Sequence, residues 1–121
     1  MPTTLVIVER AHRGTLEQQY AHVVWLVRTL RRQSPMTLLL RGRACVYALD
    51  LAPAGPAGWG TPPDYRDSLR SLADEGGELL VCAASLDELR LAGHPLVPGV
   101  RRVSDDEITA LWVAHDRVWF L

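Results

Sequence analysis

Two residues in this chain stand out for covalent chemistry without a cofactor, and both are cysteines. Cys82 ends the apolar run Glu78-Leu79-Leu80-Val81-Cys82 and is followed at once by Ala83-Ala84-Ser85-Leu86-Asp87-Glu88-Leu89-Arg90. A hydrophobic strand that delivers a thiol to the first turn of a helix, here one beginning near Ser85, favours the thiolate through backbone N–H groups and the helix dipole. The thiolate is the nucleophilic form. The competing reading is a buried, inert thiol, because free cysteine is among the most buried residue types. Cys45, in Arg43-Ala44-Cys45-Val46, either resolves a transient disulfide with Cys82 or packs as a small hydrophobe. The first role needs the two Cα atoms within about 7 Å.

Around these thiols the charged residues fall into a pattern. His12 lies in the loop Glu9–Thr15 and could orient a thiol or accept its proton. Arg41 and Arg43 flank Gly42 after an apolar run, where guanidinium groups could hold an anionic sulfur or a partner's carboxylate. His12, His22, His94 and His115 show no spacing, among themselves or to the cysteines, that reads as a metal site, so no metal is expected. All 13 basic residues are arginine, which removes any lysine Schiff-base mechanism. Gly14 stands alone and does not form a nucleotide-binding glycine motif.

The elements that must position these residues follow from hydropathy. Leu5–Val8, Met36–Leu40 and Leu79–Cys82 are continuous apolar runs of the kind buried on both faces of a parallel sheet. Helical spacing runs from about Leu16 to Arg32, with Trp25 beside its apolar stripe, and from about Asp64 to Asp74. A short helix is expected from Ser85 to Leu91. A short segment, Ala44–Leu49, follows the second strand, and the proline- and glycine-rich stretch 52–63 is a long loop. Val100–Val103 reads as an edge strand. Ser104-Asp105-Asp106-Glu107 matches a capping box for a helix to about His115, and Val118–Leu121 is a last strand. Trp112, Val118, Trp119 and Phe120 make an apolar carboxyl end, mostly core, with one or two side chains facing a partner subunit. Strands alternating with helices give an α/β fold with a parallel sheet covered on both faces. In such sheets the functional crevice lies at the carboxyl ends of the strands. There the loops Glu9–Thr15, Arg41–Val46 and Cys82–Ser85 should converge.

The whole chain sets the limits. At 121 residues it reads as one domain, with 48% hydrophobic and 22% charged residues and a net charge of −1. That balance calls for neither nucleic acid nor an anionic membrane. No segment approaches the roughly 20 apolar residues of a membrane span, and no secretion signal is visible, so the expectation is a cytoplasmic protein with reduced thiols.

The Gly-Thr loop after the first strand, Gly42 with Val46-Tyr47 after the second, the strand-end Cys82 and the terminal Asp116-Arg117-Val118 come in order along nearly the whole chain. In these features the sequence resembles the DsrE/DsrF family of sulfur carriers, which includes the TusBCD sulfur-relay subunits and YchN-like proteins. The resemblance implies a three-layer α/β/α domain with a five-stranded, mostly parallel sheet in the order 4-3-2-1-5. It also implies trimers or hexamers, homomeric or heteromeric, and a persulfide carried on Cys82 between a sulfur donor and an acceptor protein, with no other cofactor. Arg41, Arg43 or Arg90 would then steady the anionic persulfide. Some family members support a complex without carrying sulfur, and a small redox protein using both thiols is a third reading. Two features depart from the family. Asp87-Glu88 stand where an Arg-Gly pair is common, bringing negative charge toward a group meant to become an anion, and Cys45 stands where glycine precedes Val-Tyr.

Overall fold

A computed structural model describes residues 3–9, 36–51 and 66–120. The helix expected over 16–32, the long loop 52–63, His12, Gly14, His22 and Trp25 lie outside the described residues.

Five strands, β1 (Thr4–Val8), β2 (Met36–Leu40), β3 (Glu78–Cys82), β4 (Val100–Val103) and β5 (Arg117–Phe120), form one sheet in the order β4-β3-β2-β1-β5. Every pairing is parallel. This is the expected fold class and strand order. β1 and β2 are buried at all five positions each, and β3 at its last four. That is why these three segments read as unbroken apolar runs: a central parallel strand has no solvated face. The edge strands read differently. β4 exposes Arg101 and Arg102 between Val100 and Val103, and charges on an edge oppose pairing with a further strand.

Side chains alternate across the sheet, and two core layers result. One holds Val6, Val8, Leu38, Leu40, Leu79 and Val81, covered by Leu69 and Leu72 of helix α1 (Arg66–Asp74) and by Leu86 of helix α2 (Ala83–Glu88). The other holds Leu5, Ile7, Leu39, Leu80 and Cys82, and is covered by Ile108 and Leu111 of helix α3 (Asp105–Ala114). Each fully buried leucine contributes roughly 1.5–3 kcal/mol by leaving water. Thr37, on the second face, has its hydroxyl 3.0 Å from Nε2 of His115 and 3.5 Å from Glu78. On the first face, the hydroxyl of Thr4 is buried with no hydrogen-bond partner among the described residues.

Three boundaries differ from the sequence reading. The segment after β2 is a 3-10 helix, Gly42–Ala48, which is the tight form available to a short connector that must turn back onto the sheet. The helix after β3 begins at Ala83, making Cys82 itself the N-cap residue, and it ends at Glu88 after six residues. At α3 the capping box forms as expected: Ser104 Oγ accepts from the N–H of Glu107 at 3.2 Å, and Glu107 accepts from the N–H of Ser104 at 3.3 Å. Arg101 also binds Glu107 at 2.9 Å and, with Ser104, holds its carboxyl below the usual carboxylate range.

Candidate functional site

β2 leaves the sheet at Arg41, whose N–H donates to the carbonyl of Val8 at 2.9 Å. Gly42 then takes a φ of +57°, and a Cβ there would stand 3.2 Å from the carbonyl oxygen of Glu9. Both the left-handed backbone and the close approach require glycine. The N–H of Gly42 donates at 2.9 Å to Ser85 Oγ, which ties the exit of β2 to the first turn of α2. Next to Ser85, β3 delivers Cys82, whose Sγ lies 4.0 Å from Oδ1 of Asp105. Asp105 is the first residue of α3, placed there because β4 ends at Val103 and Ser104 caps the helix.

These pieces enclose a cavity of about 290 Å³. Glu9 comes from the exit of β1, Arg41 and Gly42 from that of β2, Cys82, Ala84, Ser85 and Glu88 from that of β3, and Asp105 from that of β4. The carboxyl ends of four adjacent strands thus build one crevice, as the general rule for open parallel sheets requires. Cys82 forms part of its wall with only 2% of its surface exposed. Among the described residues, three carboxylates and one guanidinium line the same space.

Of the residues selected from sequence, the structure brings Cys82, Ser85 and Arg41 together at this cavity. Arg43 is exposed and takes no part in the lining. Arg90 is exposed, has a φ of +57° just past the end of α2, and also lies outside the lining. Of the acidic pair after Cys82, Glu88 faces the cavity and Asp87 does not line it.

Cys45 sits elsewhere. It is fully buried in the 3-10 helix, packed in the layer that holds Val81, while Cys82 belongs to the opposite layer. Adjacent residues of β3 point to opposite faces, so a thiol packed against Val81 and the thiol of Cys82 look into different sides of the sheet. Burial, reinforced by the proximity of Cys82, pushes the Cys45 thiol up to about 11. Both cysteines are free. In this arrangement Cys45 packs as a small hydrophobe in the core.

Asp105 and Glu9 escaped the sequence reading. Asp105 was legible only as part of a helix cap, yet it follows the end of a strand by two residues. The rule that selected the other three loops applies equally to that one.

Comparison with protein-family models and with characterised protein sequences gives no match. Comparison with solved structures does. The ychN protein from E. coli superposes over 100% of both chains with a TM-score of 0.80 at 18% sequence identity. A protein of unknown function, MTH1491 from Methanobacterium thermoautotrophicum, superposes over 95% of each chain with a TM-score of 0.66 at 15% identity. The chain therefore shares the YchN-type fold. No helix among the described residues is long and apolar enough to cross a membrane.

Proposed function

We propose that this protein is a cytoplasmic sulfur carrier, a sulfurtransferase subunit in which Cys82 takes a sulfur atom from a donor persulfide and passes it to an acceptor thiol. The observation that carries the reading is the position of Cys82. It sits in a cavity built from four strand ends, with its thiol toward the carboxylate of Asp105.

The sequence of steps balances without an oxidant. Asp105 accepts the Sγ proton. The Cys82 thiolate attacks the outer sulfur of the donor R–S–SH, its S–S bond breaks, and R–S⁻ leaves with the electron pair. The product is Cys82–S–SH. An acceptor thiolate then attacks the same outer sulfur, takes it, and returns Cys82 as thiolate. Arg41 is the guanidinium at the cavity, and it steadies the sulfur anion by charge-assisted contact. Arg43 and Arg90 do not line the cavity. Assembly with further copies or with donor and acceptor proteins belongs to the same reading.

A second reading is a non-carrying subunit of such a complex. The specific observation in its favour is the ring of Glu9, Glu88 and Asp105, which opposes any anion at the sulfur.

Incubation with a persulfide donor followed by intact-mass analysis decides between them. The carrier gains about 32 Da, one sulfur atom, on the thiolate-forming cysteine. The adduct maps to Cys82, disappears in Cys82→Ser and persists in Cys45→Ser. An unmodified wild type, or an undiminished adduct in Cys82→Ser, removes the carrier reading.

A further inference from the structure

Beside the Cys82 cavity lies a second, larger hollow of about 370 Å³, lined by Arg41, Asp105, Ile108, Thr109, Trp112 and Val113. Arg41 and Asp105 belong to both. The two hollows adjoin across these two side chains, and together they make a groove from the strand ends along α3. Its outer half is apolar. Val113 is 82% exposed and Trp112 43% exposed, and Trp112 leans on Phe120, itself 53% exposed, with ring centroids 5.3 Å apart at 54°. A helix that only faces water carries polar residues on its outer side, and clustered exposed aromatic and aliphatic groups mark a contact surface.

We infer that this groove is the docking surface for the protein that exchanges sulfur with Cys82, and that the segment it takes is apolar with a basic residue beside its sulfur atom. This rests on the sulfur-carrier reading. Three observations define the occupant. Cys82 is 2% exposed, so the reacting sulfur must be carried into the cavity on a protruding segment. The residues flanking that segment would lie over Ile108, Trp112 and Val113, where apolar groups leave water. Among the described residues, the end nearest the sulfur meets Glu9, Glu88 and Asp105 with Arg41 as the one cation, a lining that attracts a cation and repels a carboxylate. A second copy of this chain is a poorer occupant, because its own sulfur lies within the same acidic ring.

The test uses peptides whose cysteine is activated as the 2-pyridyl disulfide, with the sequences Leu-Leu-Arg-Cys, Leu-Leu-Glu-Cys and Gly-Gly-Arg-Cys. The Cys82 thiolate attacks the peptide sulfur, forms Cys82–S–S–peptide and expels pyridine-2-thione, whose absorbance gives the rate. Leu-Leu-Arg-Cys is expected to react about tenfold faster than Leu-Leu-Glu-Cys, and added salt should compress that ratio. The double variant Glu88→Gln/Asp105→Asn should bring it close to one. Leu-Leu-Arg-Cys should also outrun Gly-Gly-Arg-Cys, an advantage lost in Trp112→Ala and kept in Arg43→Ala.

Equal rates for the basic and acidic peptides, a faster acidic peptide, or a leucine advantage that survives Trp112→Ala would each overturn the proposal. So would an oligomer that dissociates in Trp112→Glu while the peptide preferences stay unchanged, since the groove would then belong to a second copy. The same peptides with serine for cysteine, titrated by calorimetry, separate this inference from the carrier reading. Selective binding without sulfur transfer keeps the docking surface and removes the carrier. Sulfur transfer with indiscriminate binding does the reverse.

Discussion

The two faces of the sheet treat the same functional groups in opposite ways. On the face covered by α1, Cys45 is fully buried among aliphatic side chains with its thiol pushed up to about 11, and the hydroxyl of Thr4 has no partner among the described residues. On the face covered by α3, Cys82 looks toward Asp105, and Thr37 shares its hydroxyl with His115 and Glu78. The first face surrounds these polar atoms with apolar side chains. The other supplies partners for them and opens, at the carboxyl end, onto a cavity. The difference teaches that a thiol's chemistry here is set by the side of the sheet it occupies, since type and approximate depth are shared by both.

The sharpest way to break that contrast is alkylation. With iodoacetamide at about pH 8, folded protein should be labelled at Cys82 at least 100-fold faster than at Cys45. A thiol titrating near 11 is ionised there only about one part in a thousand, and Cys82 lines a cavity that Cys45 does not. Comparable labelling of the two, read by peptide mapping, would erase the distinction.

A smaller effect should appear in alkaline stability. The ordinary value for the thiol is 9.0, and in the fold it is about 11. Between those values the unfolded chain has released a proton that the folded chain retains. The stabilisation is therefore fully present below about pH 9 and is lost as pH rises toward 11. The size is roughly 2–3 kcal/mol at about 1.4 kcal/mol per pH unit. Urea midpoints across this window should fall more steeply for the wild type than for Cys45→Ala, and identical slopes would show that Cys45 is not held neutral.

The two threonines give the mildest test. Thr4→Val removes a buried, unpartnered hydroxyl without changing shape and should stabilise by about 1 kcal/mol. Thr37→Val leaves His115 and Glu78 without their shared hydroxyl and should cost about 1–2 kcal/mol. Thermal midpoints moving in the same direction would mean that the faces do not differ in this respect.

Much of this frame was legible before any coordinates. Unbroken apolar runs at Leu5–Val8, Met36–Leu40 and Leu79–Cys82 mark central parallel strands because only those strands lack a solvated side. Ser104 with Glu107 marks a helix start because both side chains are needed to close the box. Cys82 was legible for the same local reason: it is the last residue of such a run. What escaped was tertiary. Nothing in Arg43-Ala44-Cys45 reveals that the backbone folds into a 3-10 turn and sends Cys45 to the far face. Arg41, Arg43 and Arg90 are chemically equal in the sequence, and only the turn at Gly42 decides that the first reaches the cavity. Asp105 also stands as an acidic residue in the first turn of a capped helix, which gave a sufficient local explanation and concealed its reach across to Cys82.

The hydrogen bond from Gly42 to Ser85 has a mechanical consequence. It fastens the beginning of one crossover to the beginning of the next, so the walls on either side of Cys82 share a joint. A displacement of the β2 exit must carry the α2 turn along with it. A partner pressing on Arg41 would thus shift the sulfur's surroundings as a rigid bracket shifts, and one serine hydroxyl is the pin on which that bracket turns.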